Sequence, residues 1–206
     1  VPKGTELAWD QVILQKAGAT PRKDSDFPPA RVEADEKALQ VNAEGLHVRF
    51  DLRSGLLDQL QVGGVDYAAA SPRLQLWRAP TDNDGIKLWS GQDGKALGRW
   101  EKLGLPRLQS RLHAHSSKTA KDGSVRVQFV HELTGRDQWS DVRHETTWIV
   151  RGDTIEIRHD VQLAEDMVDL ARVGIEWTLP AGFEQVEWLG QGPGENYPDR
   201  RASAVH

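Results

Sequence analysis

Hydrophobic positions recur at a period of two along most of this chain. Leu46, Val48 and Phe50 alternate with His47, Arg49 and Asp51, the pattern of a strand with one face buried and the other wet. Leu56–Val62 runs back after a turn at Ser54-Gly55, and Gly63-Gly64 offers the positive φ that a tight hairpin needs. Further strands are predicted at residues 107–116, and at 125–133 across a turn at Lys121-Asp122-Gly123. Residues 142–150 and Thr154–Leu163 flank Gly152-Asp153, and two more strands are predicted at 168–179 and 185–189. Only residues 95–103 read as a short helix, with Leu97, Trp100 and Leu103 spaced three apart on one face. Long hairpins separated by turn residues predict an all-β antiparallel sandwich.

The first thirty residues break this rhythm. Residues 5–16 look like a single strand, with Leu7, Trp9 and the run Val12, Ile13, Leu14 as its apolar positions. Residues 17–31 then hold Pro21, Pro28 and Pro29 among Lys23, Asp24 and Asp26. Proline withholds a backbone donor and the polar residues supply no core, so this stretch reads as a linker. The predicted organisation is therefore a strand at 1–16 finishing a preceding domain, a linker at 17–31, and the sandwich at 32–206. The opening Val-Pro-Lys-Gly-Thr has neither an initiator Met nor a signal-peptide core, and reads as a cut end.

Composition narrows the function classes. With 38% apolar and 28% charged residues in 206, the chain is globular rather than disordered. Its net charge of -5, with Lys and Arg scattered among acids, argues against nucleic acid or an anionic membrane as partner. Cysteine is absent, which excludes disulfides and thiolate metal sites and leaves the compartment open. No run approaches the roughly 20 apolar residues that cross a bilayer. Eight Trp stand against two Tyr and four Phe. An indole face can stack on a sugar ring, but each Trp is more often a packing residue in a sandwich core.

Two acidic clusters could carry sugar chemistry, which needs two carboxylates roughly 5–5.5 Å apart for retention or roughly 6.5–9.5 Å apart for inversion. One is Thr81-Asp82-Asn83-Asp84-Gly85 and the other Glu195-Asn196-Tyr197-Pro198-Asp199-Arg200. The plainer reading of Asp82 and Asp84 is that they cap backbone amides in a turn. The spacing lacks the terminal Glu of an EF-hand loop, so metal is the weaker alternative. Arg78 precedes the first cluster, and an Arg–Asp pair locking a loop, with Arg78 and Asp82 as its members, is commoner than a catalytic acid there. His113 and His115 could share a strand face, but with no third ligand they make a poor metal site. His131, His144 and His159 are dispersed. Gly190-Gln191-Gly192-Pro193-Gly194 is a rigid turn rather than a phosphate cradle.

Two segments carry a resemblance. Leu76-Trp77-Arg78-Ala79-Pro80-Thr81-Asp82-Asn83-Asp84 resembles the Arg-Ala-Pro-x-Asp-Asn-Asp signature of the C-terminal "small chain" region of family-2, LacZ-type β-galactosidases. Residues 188–200 resemble that region's Gly-x-Gly-Pro-x-Glu-Asn-Tyr-Pro-Asp-Arg element, and Ala8-Trp9-Asp10-Gln11 looks like the closing strand of the family's preceding Ig-like domain. The resemblance implies a truncated supersandwich similar to galactose mutarotase, with one short helix. It also implies partners: a TIM barrel holding both catalytic glutamates and a magnesium ion, the Ig-like domains, and a β-galactoside substrate bound by the full enzyme. On this reading the chain itself holds no catalytic residue, metal or cofactor. Asp82, Asn83, Asp84 and Trp89 become candidates for the rim of the substrate site. Arg78, Pro80, Glu195, Asn196, Tyr197, Asp199 and Arg200 become structural. In the family, the loop corresponding to residues 85–94 lies near the active-site mouth, so Trp89 is expected to be far more exposed than Trp77 or Trp148. A bacterial cytoplasm is favoured, with periplasm or secretion as alternatives. The rival reading is a stand-alone carbohydrate-binding or mutarotase-like module, for which Glu187, Glu195 and His144 could serve as acid and base.

Overall fold

A computed structural model describes residues 28–87 and 94–187. The readings that fall on residues 5–16, on 88–93 (Trp89 among them) and on 188–206 (the whole second motif) lie outside the described residues. The chain divides into two compact units, residues 24–180 and residues 1–23 with 181–206. Within the second, Gly182 N–H donates to Glu184 Oε1 at 2.8 Å. Apart from residues 185–187, all that follows concerns the first.

Its first sheet is a meander of five antiparallel strands in chain order. These are β1 (Arg31–Ala34), β2 (Ala38–Ala43), β3 (Leu46–Asp51), β4 (Leu56–Val62) and β5 (Val65–Asp66). The alternation read from the sequence is literal in β3, where Leu46, Val48 and Phe50 are buried and His47, Arg49 and Asp51 are half-exposed. The hairpin between β4 and β5 turns on Gly63 and Gly64 at φ +58° and +82°. The second sheet holds β7 (Gln109–Thr119), β8 (Val125–Thr134), β9 (Val142–Arg151) and β10 (Thr154–Leu163), each paired antiparallel with the next. β6 (Ala70–Gln75) and β11 (Gly174–Thr178) form a separate two-stranded ribbon. The described residues of this unit therefore form an all-β antiparallel sandwich with one short helix, α1 (Ala96–Lys102).

Two cores hold these layers. In the first, Val41, Val48, Phe50, Leu57 and Leu60 of the five-stranded sheet meet Val125, Val127, Phe129, Trp148 and Val150 of the four-stranded one. Phe50 packs 5.0 Å from Phe129 and 5.2 Å edge-on from Trp148, centroid to centroid. Full burial of each such side chain contributes roughly 1.5–3 kcal/mol. In the second core, Leu97, Trp100 and Leu103 of the helical stripe pack with Leu74, Leu76, Leu133, Val142 and Met167. The helix stops where Gly104 takes φ +70°. That glycine also crosses Gly135 so closely that a Cβ at 104 would sit 2.1 Å from the Gly135 carbonyl oxygen.

Several boundaries differ from the periodic reading. Strand 107–116 begins instead at Gln109, because Pro106 belongs to a 3-10 turn at Leu105–Arg107. Strand 168–179 shrinks to Gly174–Thr178. The preceding residues are held by the helix: the Asp169 carbonyl accepts Trp100 Nε1–H at 2.6 Å and its carboxylate pairs with Arg99, with Asp169 itself at φ +60°. Residues 185–187 form no strand. β1, β2 and β6 are additions, and β6 contains Pro72, opposite which the register with β11 slips.

Candidate functional site

The first motif folds into a locked corner. After β6 the chain passes Trp77 and Arg78 and enters a 3-10 turn at Asp82–Asp84. That turn directs Asp84 back at Arg78, so the carboxylate paired with the guanidinium is Asp84 and not Asp82. Arg78 Nη1 donates to Asp84 Oδ2 at 2.7 Å and Nη2 to Oδ1 at 3.0 Å. Thr81 N–H and Oγ1–H donate to the same Oδ2 at 2.7 and 2.9 Å. The Arg78 hydrogen bonds, with those from Thr81, hold the Asp84 carboxyl at about 2, well below an ordinary aspartate. Arg78 also donates Nε–H to the Ala171 carbonyl at 3.2 Å and lies 5.0 Å over the Trp100 ring.

Asp82 behaves differently. Its carboxylate is exposed and pairs with Lys87 at the surface. Asn83 and Ile86 are exposed beside it, Ile86 at 49%. With Asp84 taken by Arg78 and Thr81, and Asp82 by Lys87, these oxygens do not converge as a magnesium site would require. Among the described residues no group of three or more His, Asp or Glu side chains is arranged to hold a metal ion. His113 and His115 do not meet either. A bulge in β7 at Leu112–Ala114 sends His113 to Glu132, at 3.2 Å, while His115 lies against Phe129.

The structure shows a second feature that sequence reasoning missed. Toward one end of the four-stranded sheet, the inner face changes from apolar to polar. The parity that carries Val125, Val127 and Phe129 in β8 next brings His131. In β9 the same parity runs Val150, Trp148, Thr146, His144. His131 and His144 are direct cross-strand partners, and His159 of β10 lies opposite Thr146. His144 Nε2 is 3.0 Å from His159 Nδ1, the rings stacked 5.2 Å apart, and Thr146 Oγ1 is 3.3 Å from the same Nε2. His131 Nε2–H donates to the Ser54 carbonyl at 2.8 Å, which fixes its tautomer. Gly55 follows Ser54 at φ +68°, where a Cβ would strike Leu112 Cδ1 at 2.5 Å and His131 Nε2 at 3.0 Å.

These imidazoles line a cleft of about 620 Å³, bounded also by the β3–β4 turn, β6 and the start of β7. Burial pushes His144 down to about 4, with its neighbours His159 and His131 adding to the effect, and burial lowers His131 and His159 as well. No Asp or Glu of the described residues lines the cleft. The acid–base pair considered for a mutarotase-like module is thus not assembled around His144 among them. Glu187 is exposed and Glu195 lies outside the described residues.

The fold and corner define an all-β sandwich domain with one loop locked by an Arg–Asp pair. Residues 42–206 match the family model "Beta galactosidase small chain", and the chain belongs to that family. It is similar to the beta-galactosidase of Yersinia enterocolitica, 35% identical over 85% of this chain and 17% of that protein. It is similar also to the beta-galactosidase of Kluyveromyces lactis, 26% identical over 97% of this chain and 19% of that protein. A third relative is beta-galactosidase 2 of Enterobacter cloacae, 32% identical over 98% of this chain and 20% of that protein. The chain thus spans about a fifth of the length of the curated relatives it matches.

Proposed function

We propose that this chain is a supporting, non-catalytic part of a β-galactosidase, rimming a substrate site whose chemistry is built elsewhere in the enzyme. The observation that carries this reading is the family match over residues 42–206 in a chain about a fifth as long as its relatives. A catalytic pair of carboxylates, and the magnesium ion that the resemblance implies, then belong to a barrel domain, with Ig-like domains as further neighbours and a terminal β-galactoside as the substrate. The corner geometry supports the division of labour. Asp84, locked by Arg78 and Thr81, is spent on holding the turn, while Asp82, paired only with Lys87 at the surface, and Asn83 are exposed. Those exposed groups are the ones offered to a neighbouring domain or to sugar hydroxyls.

Turnover of a chromogenic β-galactoside is the test. The purified 206-residue chain is expected to show none, because the acceleration of roughly 10⁶-fold or more typical of enzymes has no source without nucleophile and acid. In a complete enzyme carrying this domain, Asp82→Ala and Trp89→Ala are expected to change KM or kcat while leaving the unfolding midpoint in place. Turnover by the purified chain that vanishes on mutating one of its own carboxylates would overturn the proposal.

A further inference from the structure

The histidine cleft shares no residue with the Arg78–Asp84 corner, and the reading proposed above leaves it unused. Its lining is unbalanced in charge. Arg53, Arg73 and Arg111 join His131, His144 and His159, and no Asp or Glu of the described residues lines the cleft, although Glu176 of β11 stands opposite Arg73 on the neighbouring strand. This occurs in a chain whose net charge is -5, so the excess of donors is local and not a reflection of composition. Arg111 is matched by Glu132 at 2.7 Å on the flank of β7. Arg53 and Arg73 form no ion pair among the described residues. Asp51, whose carboxylate feels the Arg53 charge, is engaged by Ser54 Oγ–H and the Arg53 N–H, and lies outside the lining. The remaining polar groups, Ser71 and Thr146 among them, suit hydroxyls.

We propose that this cleft binds a small polar molecule bearing an oxyanion, with the guanidiniums of Arg53 and Arg73 taking the anionic group and the His144–His159 pair donating to it. Guanidinium is the side chain best matched to phosphate and carboxylate oxygens. Two neutral imidazoles joined by one Nε2–Nδ1 hydrogen bond leave one N–H for a ligand, and protonating the pair adds a second. The volume of about 620 Å³ is within the range of small-molecule sites and large enough for a phosphorylated or carboxylated sugar. Where anion and imidazole meet, no charge of the chain has to be displaced.

The test is imidazole NMR of the 206-residue chain, titrated with inorganic phosphate, with a hexose phosphate and with the matching neutral hexose at constant ionic strength. Saturable shifts of the His144 and His159 resonances are expected with both phosphates and not with the neutral sugar. Equal affinity for the two phosphates would assign the site to a free oxyanion, and tighter binding of the hexose phosphate to an organic one. Arg73→Gln and Arg53→Gln, both at exposed positions, should each weaken binding by about tenfold, an effect of about 1.4 kcal/mol. Arg126→Gln, at an exposed position of β8 whose neighbours Val125 and Val127 face the core, should not. Absence of saturable shifts, equal shifts with the neutral hexose, or affinities untouched by both arginine substitutions would overturn the proposal.

Discussion

Replacing Asp84 should unfold this domain far more readily than replacing Asp82, although the two stand two residues apart in one motif. Asp84 accepts four hydrogen bonds, two from Arg78 and two from Thr81, and its side chain is 12% exposed. An aspartate held at about 2 rather than 3.8 favours the folded, ionised state by about 2 kcal/mol. Truncation to Ala also leaves the Arg78 charge, 30% exposed, without its carboxylate, a situation that costs about 3–5 kcal/mol when fully buried. Arg78 keeps its bonds to the Ala171 and Ala79 carbonyls and its place over Trp100, so about 3 kcal/mol is the expected loss. At a urea slope of about 2 kcal/mol per molar, Asp84→Ala should lower the midpoint by about 1.5 M. Asp82→Ala removes an exposed surface pair and should move it by no more than about 0.25 M.

The pH dependence distinguishes a charge effect from simple loss of packing. Because the folded value lies below the unfolded one, the contribution is fully present above about pH 4 and is lost as pH falls toward 2. By pH 3 about half of that contribution should be gone, so the gap between wild type and Asp84→Asn should narrow between pH 6 and pH 3. Equal midpoints for the Asp82 and Asp84 variants, or a gap that does not change with pH, would refute the assignment of Arg78's partner.

Gly104→Ala should cost about 3 kcal/mol or more, seen as a large fall in Tm or failure to accumulate folded protein. The new Cβ would lie 2.1 Å from the Gly135 carbonyl oxygen at a backbone φ of +70°. His144 should make the domain acid-sensitive well above the range of the carboxylates. Its folded value of about 4 lies below the unfolded value near 6.5, so protons favour the unfolded chain as pH falls through that interval. About 2 kcal/mol should be lost between pH 7.5 and pH 5, and His144→Gln should flatten that part of a midpoint-versus-pH curve.

The sandwich was legible because its strands announce themselves locally. β3 and β10 alternate apolar and polar residues, and glycine-containing turns such as Ser54-Gly55, Gly63-Gly64 and Gly152-Asp153 mark strand ends. β6 was hidden by Pro72, which lowers the reading of any segment as a strand and is tolerated here because, among the described residues, β11 alone pairs with it. The start of the 168–179 segment was over-read because apolar composition cannot tell a strand from a loop pinned by a helix through Trp100 and Asp169. The corner was half legible. That an arginine and an acid would lock it follows from residue types, but which acid depends on the handedness of a three-residue turn. The histidine cleft left a fainter signal. A two-residue turn at Gly152-Asp153 pairs Arg151 with Thr154 and so sets His159 opposite Thr146, next to His144. His131 is joined to them through the seven residues between β8 and β9, whose length does not fix a register.

The acid sensitivity of the cleft and its proposed ligand are two views of one equilibrium. His144 is flanked by His131 of β8 and His159 of β10, with Arg111 on β7, Arg73 on β6 and Arg53 in the β3–β4 turn also lining the cleft. Every one of these groups is cationic or becomes so in acid, so protonating His144 is opposed by burial and by its neighbours alike. An oxyanion bound among them would reverse the second contribution. The folded-state value of His144 would rise from about 4 toward its ordinary value, and the stability lost between pH 7.5 and pH 5 would shrink. By reciprocity, binding must strengthen as pH falls through the same interval. Phosphate added at pH 5 and constant ionic strength should therefore raise the unfolding midpoint of the wild type, and should raise that of Arg73→Gln much less. An increase of the same size in both would mean that phosphate acts as a general stabilising salt and that the cleft holds no anion.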